Sequence, residues 1–145
     1  PLSLRSELFL AAVTGLDSSD ARRRATSLWH EIVDTPPWTG PSVWLHGDLH
    51  PSNVLVLDGR VSAVIDFGDI TAGDPATDLA VAWMMLPAAA RATFRATAGP
   101  VDDHTWRRAR GWALALAVAI LSRSADNQVM NQVARRTLDA VLDER

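Results

Sequence analysis

Two β-branched runs, NVLVL (53–57) and VSAVI (61–65), flank Asp58-Gly59-Arg60 in a chain whose other segments carry mostly helical periodicity. Val and Ile suit the pleated surface of a strand, and Asp-Gly is a strong hairpin signal. A hairpin constrains this chain more than any other feature, because it ties the two ends of its own segment together. With the midpoint between residues 59 and 60, residues equidistant from it lie opposite each other. That predicts Asn53 beside Asp66 at the open end. Asp48 lies in the loop that feeds the first strand, so it reaches the same end.

Around the hairpin the chain reads as helical. A short helix is expected over 3–13, ending near Gly15. A second, capped by Ser18 or Ser19, runs to about Asp34, with Ala25, Leu28, Trp29, Ile32 and Val33 on one face. Pro36-Pro37 ends it, and VWLH (43–46) reads as a short strand. Asp74 is a helix cap with Pro75 at the first helical position, leading a stripe of Leu79, Ala82, Trp83 and Leu86. Further helices are expected at 87–98, 103–122 and 125–142, with breaks at Gly99-Pro100 and Ser122–Ser124. The expected fold class is α+β, mostly helical, with a small β-hairpin at the functional site.

Length and composition narrow the function. At 145 residues the chain holds one domain with its own core. A net charge of −3 gives no ground for non-specific nucleic-acid binding, and the absence of cysteine removes disulfides and thiolate metal sites. The longest apolar run, GWALALAVAIL (111–121), is too short to span a bilayer, so no membrane is expected and a cytoplasmic location fits. All 14 basic residues are arginine.

Asn53, Asp66 and Asp48 make a cluster of oxygen donors. Such donors suit Mg²⁺, completed by waters and substrate phosphates, while a neighbouring carboxylate can accept the proton of an attacking hydroxyl. A rival reading takes His46, Asp48 and His50 as ligands of a Zn²⁺ or Fe²⁺ hydrolase, on a strand continued through them. Gly47 and Pro51 argue against that strand.

HGDLHPSNVL (46–55), VIDFGD (64–69) and GDPATDLAVAW (73–83) together resemble the C-terminal lobe of the aminoglycoside phosphotransferase and choline kinase-like family, which has a protein-kinase-like fold. Three motifs in the right order and spacing carry the resemblance. It implies that Asp48 is the catalytic base or orienter, that Asn53 and Asp66 bind Mg²⁺ bridging the phosphates of ATP (or GTP), and that His46 and Asp78 support the catalytic loop. Asp78 also lies one position from an apolar stripe, where a half-buried carboxylate needs donors.

The resemblance also implies a β-rich nucleotide-binding lobe with a phosphate-contacting lysine. The residues before the catalytic loop look helical and the chain has no lysine. The expectation is therefore a C-terminal lobe without its N-lobe, weakly active or inactive alone, whose partners are the absent lobe and a small hydroxyl substrate. A homo-oligomer would cover apolar surface left by that lobe. A non-catalytic kinase-like binding lobe is the alternative.

His50, Asp69, Trp83 and Trp112 are candidate substrate-pocket residues. The plainer readings are loop hydrogen bonding for His50, a turn for Asp69, and core for the tryptophans at 29, 44, 83, 106 and 112. Asp102 and Asp103 are read as capping a helix. Aminoglycoside, choline, amino sugar and homoserine acceptors are left undistinguished.

Overall fold

The computed structural model describes residues 1–123 and 126–144. Its order is a 3-10 turn at Leu2–Arg5, α1 (Ser6–Val13), α2 (Ser19–Ile32), β1 (Val43–Leu45), β2 (Val54–Leu57), β3 (Arg60–Val64), β4 (Thr71–Gly73), α3 (Ala76–Leu79), α4 (Val81–Met85), α5 (Ala88–Thr97), α6 (Asp103–Arg123) and α7 (Gln128–Asp143). The described residues are mostly helical, with two small antiparallel sheets.

α6 is the axis of the body. Helices α1, α2, α3, α4 and α7 all pack on it. That explains why its sequence has no single apolar stripe: Ala109, Ala113, Leu114, Ala117 and Val118 are buried on several sides. Small residues permit the close approach. A Cβ at Gly111 would collide with Leu2 and Ile32. Phe9 stacks on Trp29 with ring centroids 4.2 Å apart, and Trp106 meets Trp83 and Phe94 edge-on. No helix among the described residues is long and apolar enough to cross a membrane.

Ser18 caps α2 as expected, its side chain accepting from the Ala21 N–H at 3.2 Å. The expected helix over 3–13 divides into a 3-10 turn and α1. The stripe from Leu79 to Leu86 is carried by two short helices, α3 and α4, that meet at Ala80, and Leu86 leaves the helix in extended backbone before Pro87. The expected break at 122–124 starts later than read, because α6 continues through Ser122 and Arg123; Ser124 and the expected helix start at 125 lie outside the described residues.

β1 does not join the hairpin. It pairs with β4, which the sequence did not announce, through Val43↔Gly73, Trp44↔Ala72 and Leu45↔Thr71. Trp44 corrects the core reading: it is 80% exposed.

The hairpin's register also differs from the expected one. Leu57 pairs with Arg60, so the connection is the two residues Asp58 and Gly59, both with positive φ (50° and 74°). Such a turn matches the twist of the strands and moves the midpoint back. A bulge between Leu55 and Val56 then shifts the pairing by one, giving Leu55↔Ala63 and Val54↔Val64. Ile65, not Asp66, therefore lies opposite Asn53, and its N–H donates to the Asn53 carbonyl at 2.9 Å.

Candidate active site

The loop from His46 to Asn53 leaves β1 and enters β2 through a 3-10 turn at Pro51–Asn53. Gly47 lets it turn, with φ at +85°. A Cβ there would collide with the Asp69 carbonyl oxygen. The loop is thereby seated against the segment after β3.

Asp78, at the start of the helical pair, fixes the near end. Its Oδ2 accepts the His46 N–H at 2.7 Å and its Oδ1 the Gly47 N–H at 3.1 Å. His46 is buried, and its ring links both segments. Nδ1 accepts from the Asp48 N–H at 3.3 Å, which leaves Nε2 as donor to the Ile65 carbonyl at 2.8 Å. Phe67 lies against the same ring, centroids 4.7 Å apart.

Asn53, 6% exposed, closes the far end. Its Nδ2 donates to the Asp48 carbonyl at 2.9 Å and lies 3.5 Å from Asp48 Oδ2. His50 completes the ring of contacts. Its Nδ1 accepts from the Ser52 N–H at 3.2 Å, and its Nε2 lies 3.4 Å from both Asp48 Oδ2 and Asn53 Nδ2. The Asp48 side chain is half exposed; its Oδ2 lies against Asn53 and His50, and its Oδ1 has no hydrogen-bond partner among the described residues.

His46, Asp48, His50, Asn53 and Asp78 are thus brought together. Asp66 follows Ile65 in left-handed backbone (φ 64°), its carboxylate exposed and without a hydrogen-bond partner among the described residues. Asp69 contributes its backbone carbonyl as the neighbour of Gly47. Trp83 and Trp112 stand apart. Trp83 is buried and donates from Nε1 to Glu144 at 2.8 Å, and Trp112 packs under the Arg5 guanidinium at 5.2 Å.

Asn53 Oδ1 accepts no hydrogen bond among the described residues, and the Asp66 carboxylate is likewise uncommitted. An amide oxygen and a carboxylate are donor types that a small hard cation such as Mg²⁺ takes. The metal-hydrolase reading fails on geometry. Both His46 nitrogens are engaged by backbone, and no group of three or more His, Cys, Asp or Glu able to share a metal occurs among the described residues.

Sequence reasoning missed a pair that supports the loop from below. Arg108, on α6 and 3% exposed, donates to Asp74 from Nε at 2.6 Å and Nη2 at 3.2 Å, and to the Pro36 carbonyl at 2.7 Å. Asp74 Oδ1 also accepts the Ala76 N–H at 3.0 Å. The capping aspartate was legible in the sequence; its distant arginine had no local signal.

The model of the phosphotransferase enzyme family matches residues 4–112. An aminoglycoside 3'-phosphotransferase of Escherichia coli is 33% identical over 79 residues, covering 52% of this chain and 29% of that protein. The uncharacterized protein YcbJ of Bacillus subtilis is 37% identical over 59 residues, covering 37% of this chain and 19% of that protein. The chain therefore spans under a third of the length of these curated relatives. Among solved structures, apoenzyme macrolide 2'-phosphotransferase MphH from Brachybacterium faecium superposes with a TM-score of 0.46 at 23% identity, over 99% of this chain and 49% of that one.

Proposed function

Because the chain belongs to the phosphotransferase enzyme family, we propose that it supplies the catalytic loop of an enzyme that transfers the γ-phosphoryl group of ATP or GTP to a hydroxyl of a small molecule. The observation that carries this reading is the half-exposed Asp48 carboxylate, contacted at Oδ2 and without a partner at Oδ1 among the described residues, in a loop fixed at both ends.

In this reading the acceptor hydroxyl donates to Asp48 Oδ1. Asp48 orients the oxygen and takes its proton as the new O–P bond forms and the bond from the γ-phosphorus to the leaving nucleoside diphosphate breaks. Asn53 holds the Asp48 backbone, so the base keeps its aim. Asn53 Nδ2 and His50 Nε2 both lie against Oδ2, at 3.5 and 3.4 Å, which leaves Oδ1 for the acceptor. Asn53 Oδ1 and the Asp66 carboxylate would hold Mg²⁺, which when bound neutralises charge on the phosphates. Further nucleotide contacts are assigned to a second lobe. We place its contact on the hairpin, where Val56, Leu57 and Val61 are 59%, 66% and 64% exposed.

The test is acceptor-dependent nucleotide consumption by the protein that carries this chain, across a panel of amino sugars, choline, homoserine, aminoglycosides and macrolides. Asp48→Asn is expected to lower kcat by roughly 10²–10⁴-fold, the usual contribution of a positioned base. A variant that turns over at the parent rate removes Asp48 from the mechanism.

A further inference from the structure

A cleft of about 750 Å³ opens between α4, α5 and α7. Its floor is apolar, formed by Met84, Met85, Leu86 and Pro87. Three arginines line it, Arg91, Arg95 and Arg136, against two acids, Asp143 and Glu144.

The acids are already engaged. Glu144 Oε2 accepts from Trp83 Nε1 at 2.8 Å and from Arg91 Nε at 3.0 Å. Asp143 Oδ1 takes Arg24 Nη2 at 2.8 Å. The arginines are less evenly matched. Arg95 lies over the Trp106 ring at 5.1 Å and reaches the fully exposed Asp103 only at 3.5 Å. Arg136 forms no ion pair among the described residues, and its Nε makes one long bond, 3.4 Å, to the Gln132 carbonyl. The uncommitted charge facing the cleft is therefore positive, although the chain as a whole carries −3.

We propose that this cleft binds an anion with an apolar body and discriminates against polycations. The anion takes the fork of Arg136, with Arg95 beside it. The apolar body covers Met84 to Pro87, in the manner of sites that combine an apolar lining with few polar anchors. A polycation finds both acids of the cleft already paired with arginine, Asp143 with Arg24 and Glu144 with Arg91, and it meets Arg136 as a like charge.

Two of the three helices that frame the cleft, α4 and α7, also touch the loop. α4 packs on the Pro51–Asn53 turn, and Met130 of α7 receives the Ser52 hydroxyl at 3.6 Å. That this ligand is the phosphoryl acceptor rests on the reading above; that the cleft binds it does not.

The probe is 1-anilinonaphthalene-8-sulfonate, an anion with apolar rings, titrated against the chain and followed by its fluorescence. Its neutral counterpart is N-phenyl-1-naphthylamine. Arg136→Glu and the milder Arg136→Gln alter a surface side chain, and circular dichroism checks their fold. Both are expected to weaken the sulfonate about tenfold or more, the usual effect of losing a charge-assisted contact, and to leave the neutral dye within about twofold. Octanesulfonate should displace the dye and spermine should not. Unchanged sulfonate affinity in both variants overturns the proposal, as does displacement by spermine at lower concentration than octanesulfonate. Dye binding needs no nucleotide, so a failure here and a failure of the phosphotransfer test are separate results.

Discussion

Asp78 and Gly47 decide where Asp48 points. Asp78 satisfies two consecutive backbone donors with its two oxygens. Asp78→Ala leaves both N–H groups in a half-buried setting without an acceptor, at roughly 1–3 kcal/mol each before water repairs part of the loss. Asp78→Asn should be nearly as damaging, because its amide NH₂ meets a second donor. Hydrogen exchange reads this at the two amides: those of His46 and Gly47 exchange slowly in the parent and fast in both variants. Slow exchange in Asp78→Asn would mean that one carboxylate oxygen suffices. Gly47→Ala tests the other constraint. It places a side chain at φ +85° and against the Asp69 carbonyl, and each kind of strain costs on the order of 1–3 kcal/mol. Urea unfolding should show that loss, and a variant as stable as the parent would mean that the loop has room to move.

At the scale of elements, α6 depends on its first turn. Asp102 Oδ1 accepts the Thr105 N–H at 2.6 Å, and this bond, backed by the Thr105 side chain, holds the Asp102 carboxyl below its ordinary range. A depressed folded-state pKa contributes stability above the unfolded value and loses it as pH falls through the folded one. Asp102→Ala should therefore cost about 1 kcal/mol at neutral pH, the usual worth of such a cap. The gap between parent and variant should begin to close below about pH 4, where the unfolded carboxyl takes its proton first, and go on closing as pH falls through the folded value. A gap that stays constant down to pH 3 would show that charge is not involved. Caps such as Asp102 and Ser18 were readable in the sequence because their signals are local, and so was the hairpin. The register was not. It depends on whether two or three residues form the turn and on a bulge at Leu55/Val56, and a one-residue slip moved the partner of Asn53 from Asp66 to Ile65. β4 was invisible because Thr71-Ala72-Gly73 has no alternation and is a strand only by pairing with β1. The loop's residues were nameable from their motifs, but the His46 bond to Ile65 and the Asp78 bonds to the loop are tertiary facts.

Across the whole molecule, one buried pair connects the core to the loop. Arg108 sits on the central helix and holds Asp74, and four residues after Asp74 comes Asp78, which holds His46 and Gly47. The two partners are not equally buried: Arg108's side chain is 3% exposed and that of Asp74 24%. Removing the carboxylate strands a guanidinium out of water, its remaining hydrogen bonds among the described residues being to the Pro36 carbonyl and the Thr105 hydroxyl, at 2.7 and 2.9 Å. Removing the guanidinium leaves a carboxylate that water can reach. Asp74→Ala should thus cost about 3–5 kcal/mol, the range for a buried charge left uncompensated, and Arg108→Met less. The double variant should be more stable than Asp74→Ala alone, because no charge is then left buried. Urea unfolding of the four proteins measures this cycle. If Arg108→Met proves the worse single change, or if the double variant is no better than Asp74→Ala, the pair acts through packing and not through desolvation. In either case a loosened Asp74 should reach the site. Exchange of the His46 and Gly47 amides should quicken in Asp74→Ala, although that residue touches neither of them.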